Sequence, residues 1–180
     1  MLQVLIPAHD VFDNERQEFL TVKPESFQIE HSLVSVSKWE SKWKKPFLSK
    51  YDKTDEETVD YIRCMTITQN VDTSVYKRIS TEMFSKITDY INDSMTATWF
   101  NDKQDSRRNR EIITAEIIYY WMIALNIPWE CQKWHLNRLL TLIRVCNIKN
   151  QPPKKRGRKS ALAERQAINK ARRQQYNTKG

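Results

Sequence analysis

Apolar residues recur first at alternate positions and then at intervals of three and four, and this change of period divides the chain near Ser37. In Leu2–Ser37, Val4 and Ile6 precede a polar turn candidate at Asp13-Asn14-Glu15, and Phe19, Leu20 and Val22 follow it. Apolar runs on either side of such a turn predict a β-hairpin. Phe27, Ile29, His31 and Leu33 then alternate with Gln28, Glu30 and Ser32. That period of two predicts a strand with one wet face. Val34 and Val36 shift the apolar phase by one, as a bulge or a strand end would.

Helical spacing takes over after Ser37. Trp39 and Trp43 stand four apart and share one helical face, and Pro46 stops the element. Thr54 followed by Glu57 has the spacing of a capping box, and Val59, Ile62 and Met65 supply a buried stripe. Ser80 or Thr81 caps a further helix with Met83, Phe84, Ile87, Tyr90 and Ile91 inward. A polar loop, Asn101–Asn109, precedes a helix over about Arg110–Asn126. Its Ile112, Ile113, Ile117, Tyr120, Trp121 and Ile123 surround much of the circumference, so a central position is expected. Pro128 then opens a helix to about Cys146, with Leu136, Leu139, Leu140 and Ile143 among its apolar positions. So short a link predicts an antiparallel helix pair. Pro152 and Pro153 end the pattern, and the Ala- and Arg-rich run Ser160–Tyr176 has so little to bury that a helix is expected there only on binding. There is no internal repeat.

The expected fold class is therefore α+β: a predominantly helical body with an N-terminal β-hairpin or small antiparallel sheet, plus a basic C-terminal extension. Residues 1–150 read as one domain, β-rich over 1–37 and helical over 38–150. Residues 151–180 read as a tail, disordered or helical when bound.

Charge sharpens that division. Residues 151–180 hold ten Lys and Arg against Glu164 alone, a net +9. The first 150 residues hold twenty cations and twenty-one acids, a net −1. A self-repelling tail of this kind cannot build a core and is expected to serve a partner. Composition also excludes functions. Both glycines, Gly157 and Gly180, lie in the tail. A phosphate-cradling loop or dinucleotide fingerprint needs glycine where backbone meets ligand, so nucleotide-binding enzymes of those types are ruled out. The odd count of unpaired-looking cysteines, Cys64, Cys131 and Cys146, with no recognisable export signal at the start, predicts a reducing cytoplasm. The longest apolar stretch, Ile112–Ile127, is interrupted by Thr114, Glu116 and Asn126 and falls short of the roughly 20 residues needed to span a bilayer. No membrane partner is expected.

Candidate chemistry is thin. Cys131 and His135 stand four apart, with Cys146 as a third ligand, but structural zinc takes four ligands and usually tight cysteine pairs. Buried side chains are the better reading, and no metal or cofactor is expected. A Cys–His nucleophile lacks an orienting third group, and the acids show no spaced pair, so no catalytic residue is assigned. The segment Ser37–Phe47 interleaves Trp39 and Trp43 with Lys38, Lys42, Lys44 and Lys45. It is a candidate aromatic contact surface, against which stands an amphipathic turn with tryptophan inward. The tail offers Lys154, Lys155, Arg156, Arg158, Lys159, Arg172 and Arg173 for a partner or polyanion. Its Arg-Gly-Arg flanked by lysines looks like the core of an AT-hook, though Lys159 stands where such motifs usually carry proline. Docking onto an acidic protein or weak, non-specific nucleic-acid binding fits these letters better than sequence readout.

Four stretches taken together, IEHSLVSVSKWESKWKKPFLSK, TVDYIRCMTITQNVD, EIITAEIIYYWMIALNIPWECQKWHLNRLLTLIRVCNIKN and the terminal ARRQQYNTKG, resemble a group of small proteins from the structural gene clusters of tailed bacteriophages. They look like tail assembly chaperones. The resemblance covers Phe27–Asn150 and the extreme C-terminus and rests on texture, so it carries no site residue over. It implies a non-enzymatic protein that binds tape-measure and tail tube proteins in the host cytoplasm, with a homo-oligomer allowed. Connectors and minor capsid proteins of similar size are encoded nearby. A permanent virion component is thus one alternative, and a DNA-binding protein acting through the tail is another.

Because the tail is expected to contribute nothing to the core, deleting residues 151–180 should leave a single cooperative thermal transition. Loss of cooperativity in that truncated chain, followed by circular dichroism, would contradict the division.

Overall fold

The computed structural model describes residues 1–13, 18–100, 112–151 and 158–177. The chain is α+β, mostly helical with a small antiparallel arrangement at its N-terminus. Strands β1 (Leu2–Ile6) and β4 (Glu25–Ile29) pair antiparallel from Leu2↔Ile29 to Ile6↔Glu25. Between them β2 (His9–Asp13) pairs with β3 (Glu18–Val22), from His9↔Val22 to Asp13↔Glu18. The expected turn at Asn14-Glu15 lies outside the described residues. Alternation in β1 and β4 buries Val4, Ile6, Phe27 and Ile29 and leaves Gln3, Leu5, Ser26 and Gln28 outward.

Strand character ends earlier than its period suggests. Ile29 closes β4, and Leu33, Val34 and Val36 belong to helix α1 (Leu33–Trp43). The cause is a capping box. The Ser32 hydroxyl accepts from the Ser35 N–H, and the Ser35 hydroxyl accepts from the Ser32 N–H at 2.9 Å. Serine at both positions stops the strand and starts the helix, so the apparent phase shift is a helix N-terminus. Helix α2 (Asp55–Met65) opens on the expected Thr54–Glu57 box, with Asp55, Glu56 and Glu57 in its first turn. The segment beyond it covers one side of β4: Glu30 N–H donates to Met65 O at 2.9 Å, and Ile67 N–H donates to Gln28 O at 2.9 Å. A 3-10 turn (Thr73–Arg78) leads to helix α3 (Thr81–Asn92), capped by Ser80.

Helix α4 runs over Ala115–Ala124. The expected helix from Trp129 to Cys146 is divided. Trp129–Lys133 is a 3-10 turn, and helix α5 begins at Leu136 and ends at Asn150. The break has a backbone cause: His135 bridges to Ser32, and the Leu136 N–H donates to His31 O at 2.7 Å. The chain divides into two units, Met1–Cys146 and Asn147–Gly180. The second contains helix α6 (Arg158–Tyr176). It forms although no residue from Leu162 to Tyr176 is buried, because alanine, arginine, glutamine and lysine are strong helix formers.

In the first unit α1 lies at the centre and packs against both α2 and α4. Leu33, Val36 and Trp39 are fully buried, as are Ile118 and Met122 of α4 and Leu136 and Leu139 of α5. α4 has no side-chain cap of its own at Thr114. The buried Glu40 of α1 replaces one: its Oε2 accepts from the Ala115 N–H at 2.8 Å, and its Oε1 accepts from the Phe47 N–H at 2.7 Å. A carboxylate at this helix start is favoured by the orphan N–H groups and by the helix dipole.

Removing that side chain strands two buried backbone donors. Glu40→Ala should lose about 2–4 kcal/mol of stability in urea denaturation, and Glu40→Gln, which keeps one accepting oxygen, should lose less. Stability of Glu40→Ala within about 0.5 kcal/mol of the parent would show the bridge to be incidental.

Candidate interaction surfaces

Trp39 does not belong to a surface. It is 0% exposed, and its Nε1–H donates to the backbone oxygen of Glu57 at 2.8 Å. Trp43 stacks on it with ring centroids 6.2 Å apart and donates from Nε1 to Asp60 Oδ2 at 2.9 Å. The lysines expected to accompany a stacking platform are engaged as well. Lys42 binds Asp60 at 2.5 Å, and Lys45 binds the buried Glu57 at 2.5 Å. Burial pushes the Asp60 carboxyl up, but the bonds from Lys42 and Trp43 outweigh it and hold the group below the usual range. The Glu57 carboxyl is likewise held low, first by Lys45 and then by the Thr54 N–H. The tryptophan-inward arrangement therefore describes this segment, and Trp39 and Trp43 do not form the expected aromatic contact surface. Half-buried Trp43 still lines a cavity of about 450 Å³ with Val59, Tyr76, Arg63 and Lys77.

The histidines take structural positions. His31 and His135 are both buried, with ring centroids 5.1 Å apart. His31 Nδ1 lies 2.5 Å from the Tyr61 hydroxyl, and His135 Nε2 lies 3.0 Å from the Tyr90 carbonyl oxygen. A carbonyl can only accept, so His135 donates from Nε2 and its Nδ1 is the bare nitrogen. That buried nitrogen has no hydrogen-bond partner. Desolvation, and secondarily the neighbouring His135, lowers the His31 pKa to about 3. Burial lowers that of His135 and raises that of the Tyr61 hydroxyl. Both imidazoles are thus neutral, and the proton between His31 and Tyr61 stays on oxygen. Cys131 and His135 do not share a helical face, since the helix begins only at Leu136. Among the described residues no group of three or more His, Cys, Asp and Glu could hold a metal ion. Burial also raises the thiol pKa values of Cys64 and Cys131, the reverse of what a nucleophile needs.

A surface that the apolar period hid lies on α4. The helix was expected at the centre, yet only Ala115, Ile118 and Met122 are buried. Its opposite face carries Glu116, Tyr120, Ile123 and Ala124, with Tyr120 66% and Ile123 67% exposed. Nearby, Trp129 stacks on Tyr119 at 5.1 Å and remains 52% exposed. Exposed Glu116 and Glu130 supply acidic charge beside these apolar groups. When a helix is apolar all round, the pattern does not say which side faces water, so no period-based signal marks this face. Exposed apolar side chains on one helix face make it a candidate contact surface.

In the second unit, Lys154, Lys155 and Arg156 lie outside the described residues. Arg158 and Lys159 open α6, and Arg172 and Arg173 are exposed near its end. Exposed Arg165 and Lys170 join them on the helix, beyond the cations that the charge run alone marks for a partner. No helix among the described residues is long and apolar enough to cross a membrane. No protein-family model matches the chain, and neither a curated protein nor a solved structure matches it.

The two histidines make stability depend on pH. A base whose folded pKa is lowered stabilises the fold above its unfolded value, and that contribution is lost as pH falls towards the folded one. Between pH 7 and pH 4.5 the chain should lose on the order of 2 kcal/mol or more through His31 and His135. His31→Gln should be less stable at pH 7 but lose less on acidification. Parallel losses in urea titrations of parent and variant would remove His31 from the explanation.

Proposed function

We propose that this chain is a non-enzymatic assembly factor of a bacteriophage tail, which binds tape-measure protein and tail tube subunits in the host cytoplasm before the tube closes. The resemblance of its sequence texture to tail assembly chaperones suggests the setting. The observation that carries the reading is the outward face of α4, where Tyr120 and Ile123 stand bare beside Trp129. An amphipathic helix laid along that face would bury its own apolar stripe, the contact that a long helical client needs before it meets its final partners. Glu116 and Glu130 favour clients with basic residues beside the stripe. The buried histidines and paired carboxylates of the body hold elements together, and burial raises the Cys64 and Cys131 thiols, which supports binding over catalysis.

The experiment is co-expression of the full chain with a tape-measure protein. The parent chain should keep the client soluble and co-purify with it. Tyr120→Asp combined with Ile123→Asp should retain the parent's thermal transition, because both side chains point to solvent, while client recovery falls at least about ten-fold, the loss of two apolar anchors. Equal recovery by parent and variant would remove α4 from the contact. Stoichiometric presence of the chain in purified particles by mass spectrometry would replace the transient role with that of a connector or minor capsid protein.

A further inference from the structure

Helix α6 buries nothing from Leu162 to Tyr176, so its surface pattern is free to be shaped by a partner rather than by the core. At 3.6 residues per turn that pattern is ordered. Arg165 and Arg172 lie along one flank of the helix, and Lys170 and Arg173 lie along another. Between the two flanks, at seven-residue spacing, runs the row Leu162, Asn169 and Tyr176. The four cations and this row occupy an arc of about 160°, and the remaining surface carries Ala163, Ala167, Ala171, Gln174 and Gln175 with Ile168 and the acid Glu164. A charge run that served only solubility would have no reason to gather its cations on one side and leave the acid, Glu164, on the other.

We propose that α6 binds double-stranded DNA by entering the major groove, with the Leu162–Asn169–Tyr176 row facing the base edges and the two cationic flanks reaching the phosphates on either side. The dimensions agree: a helix about 10–12 Å across fits a groove about 12 Å wide, whereas the major groove of A-form RNA is too deep and narrow to be read. Charge agrees too, since the duplex carries one negative charge for about every 1.7 Å of its axis. Asn169 at the centre of the row has the amide that pairs with an adenine edge. A lipid surface fits less well. It needs one continuous apolar face, but Ile168 lies away from Leu162 and Tyr176, which themselves sit between the cationic flanks. This contact is independent of the α4 reading and stands or falls without it.

The test uses the full chain and a fluorescein-labelled 24-base-pair duplex of mixed sequence, with anisotropy read between 50 and 200 mM NaCl. Affinity should fall about 100-fold or more over that range, as expected for at least four phosphate contacts. Arg165→Gln with Arg172→Gln should reduce the log–log salt slope by about 2, and so should Lys170→Gln with Arg173→Gln, because each pair removes two contacts. Ala167→Pro keeps every charge but breaks the helix, and it should weaken binding about ten-fold or more at 50 mM NaCl, with the body's thermal transition unchanged. Tyr120→Asp with Ile123→Asp should leave DNA affinity at the parent value. Parent affinity in Ala167→Pro would overturn the proposal in favour of an unstructured charge contact. So would displacement of the duplex by polyglutamate, or by vesicles of three parts phosphatidylcholine to one part phosphatidylglycerol, at charge concentrations no higher than those at which unlabelled duplex competes.

Discussion

Both side-chain oxygens of Glu40 are taken by backbone amides, one from Phe47 in the segment after α1 and one from Ala115 at the start of α4. Neither donor has a partner within its own element. α4 lacks a side-chain cap, and the segment around Phe47 has already left α1, whose C-cap Lys44 adopts a left-handed backbone. One buried group therefore closes off the end of one helix region and the beginning of another, across 75 positions of sequence. The apolar contacts of Ile118 and Met122 supply the attraction between α4 and the rest of the core. The carboxylate supplies direction, because hydrogen bonds have angles and apolar contacts do not. The side of α4 that faces water is fixed by this combination.

Other buried polar groups follow the same logic. Glu57 closes its own capping box at Thr54 and holds Lys45, while its backbone oxygen receives Trp39. Asp60 gathers Lys42, Trp43 and Arg63. His31 and His135 sit between α2, α3 and the start of α5 through Tyr61 and the Tyr90 carbonyl. Hydrogen-bonded carboxylates such as Glu57 and Asp60 specify one arrangement of a core where interchangeable apolar contacts would admit several. Among the described residues of the first unit, these carboxylates and imidazoles are engaged in holding elements together.

Much of this organisation was legible along the chain. The α+β class, a small antiparallel sheet at the N-terminus and the box at Thr54 follow from local spacing, but Val4 and Ile6 pair with Phe27 and Glu25 of β4 and not with the run Phe19–Val22 beyond the turn. What escaped has physical reasons. Ser32 and Ser35 cap α1 with two short hydroxyls, in a stretch whose apolar residues still fit a strand, so the helix start was hidden inside the alternation. The break before Leu136 depends on a bridge from His135 to Ser32, a contact that no local pattern announces. The outward face of α4 was hidden because isoleucine, tyrosine and tryptophan on every side leave no polar stripe to mark the water. Trp39 and Trp43 were correctly placed on one face, but their lysine neighbours could not be assigned until Asp60 and Glu57 were seen to bind them. The cations of α6 were visible as charge, whereas their division into two flanks became meaningful only once Arg158–Tyr176 was helical.

A body without glycine must still turn sharply, and it does so with side chains attached. Lys44, Asn70, Met95 and Asn126 all have positive φ, between 50° and 58°. For asparagine that conformation is mild, but for lysine and methionine it carries a steric cost of roughly 1 kcal/mol. The same absence acts on the other side of the folding equilibrium. Every residue of the unfolded body carries a Cβ, so its backbone samples fewer conformations and has less entropy to lose on ordering. The tight turns are strained in the native chain, while ordering the rest of the backbone forfeits less entropy. Part of this fold's stability thus resides in a restriction that no contact within it displays.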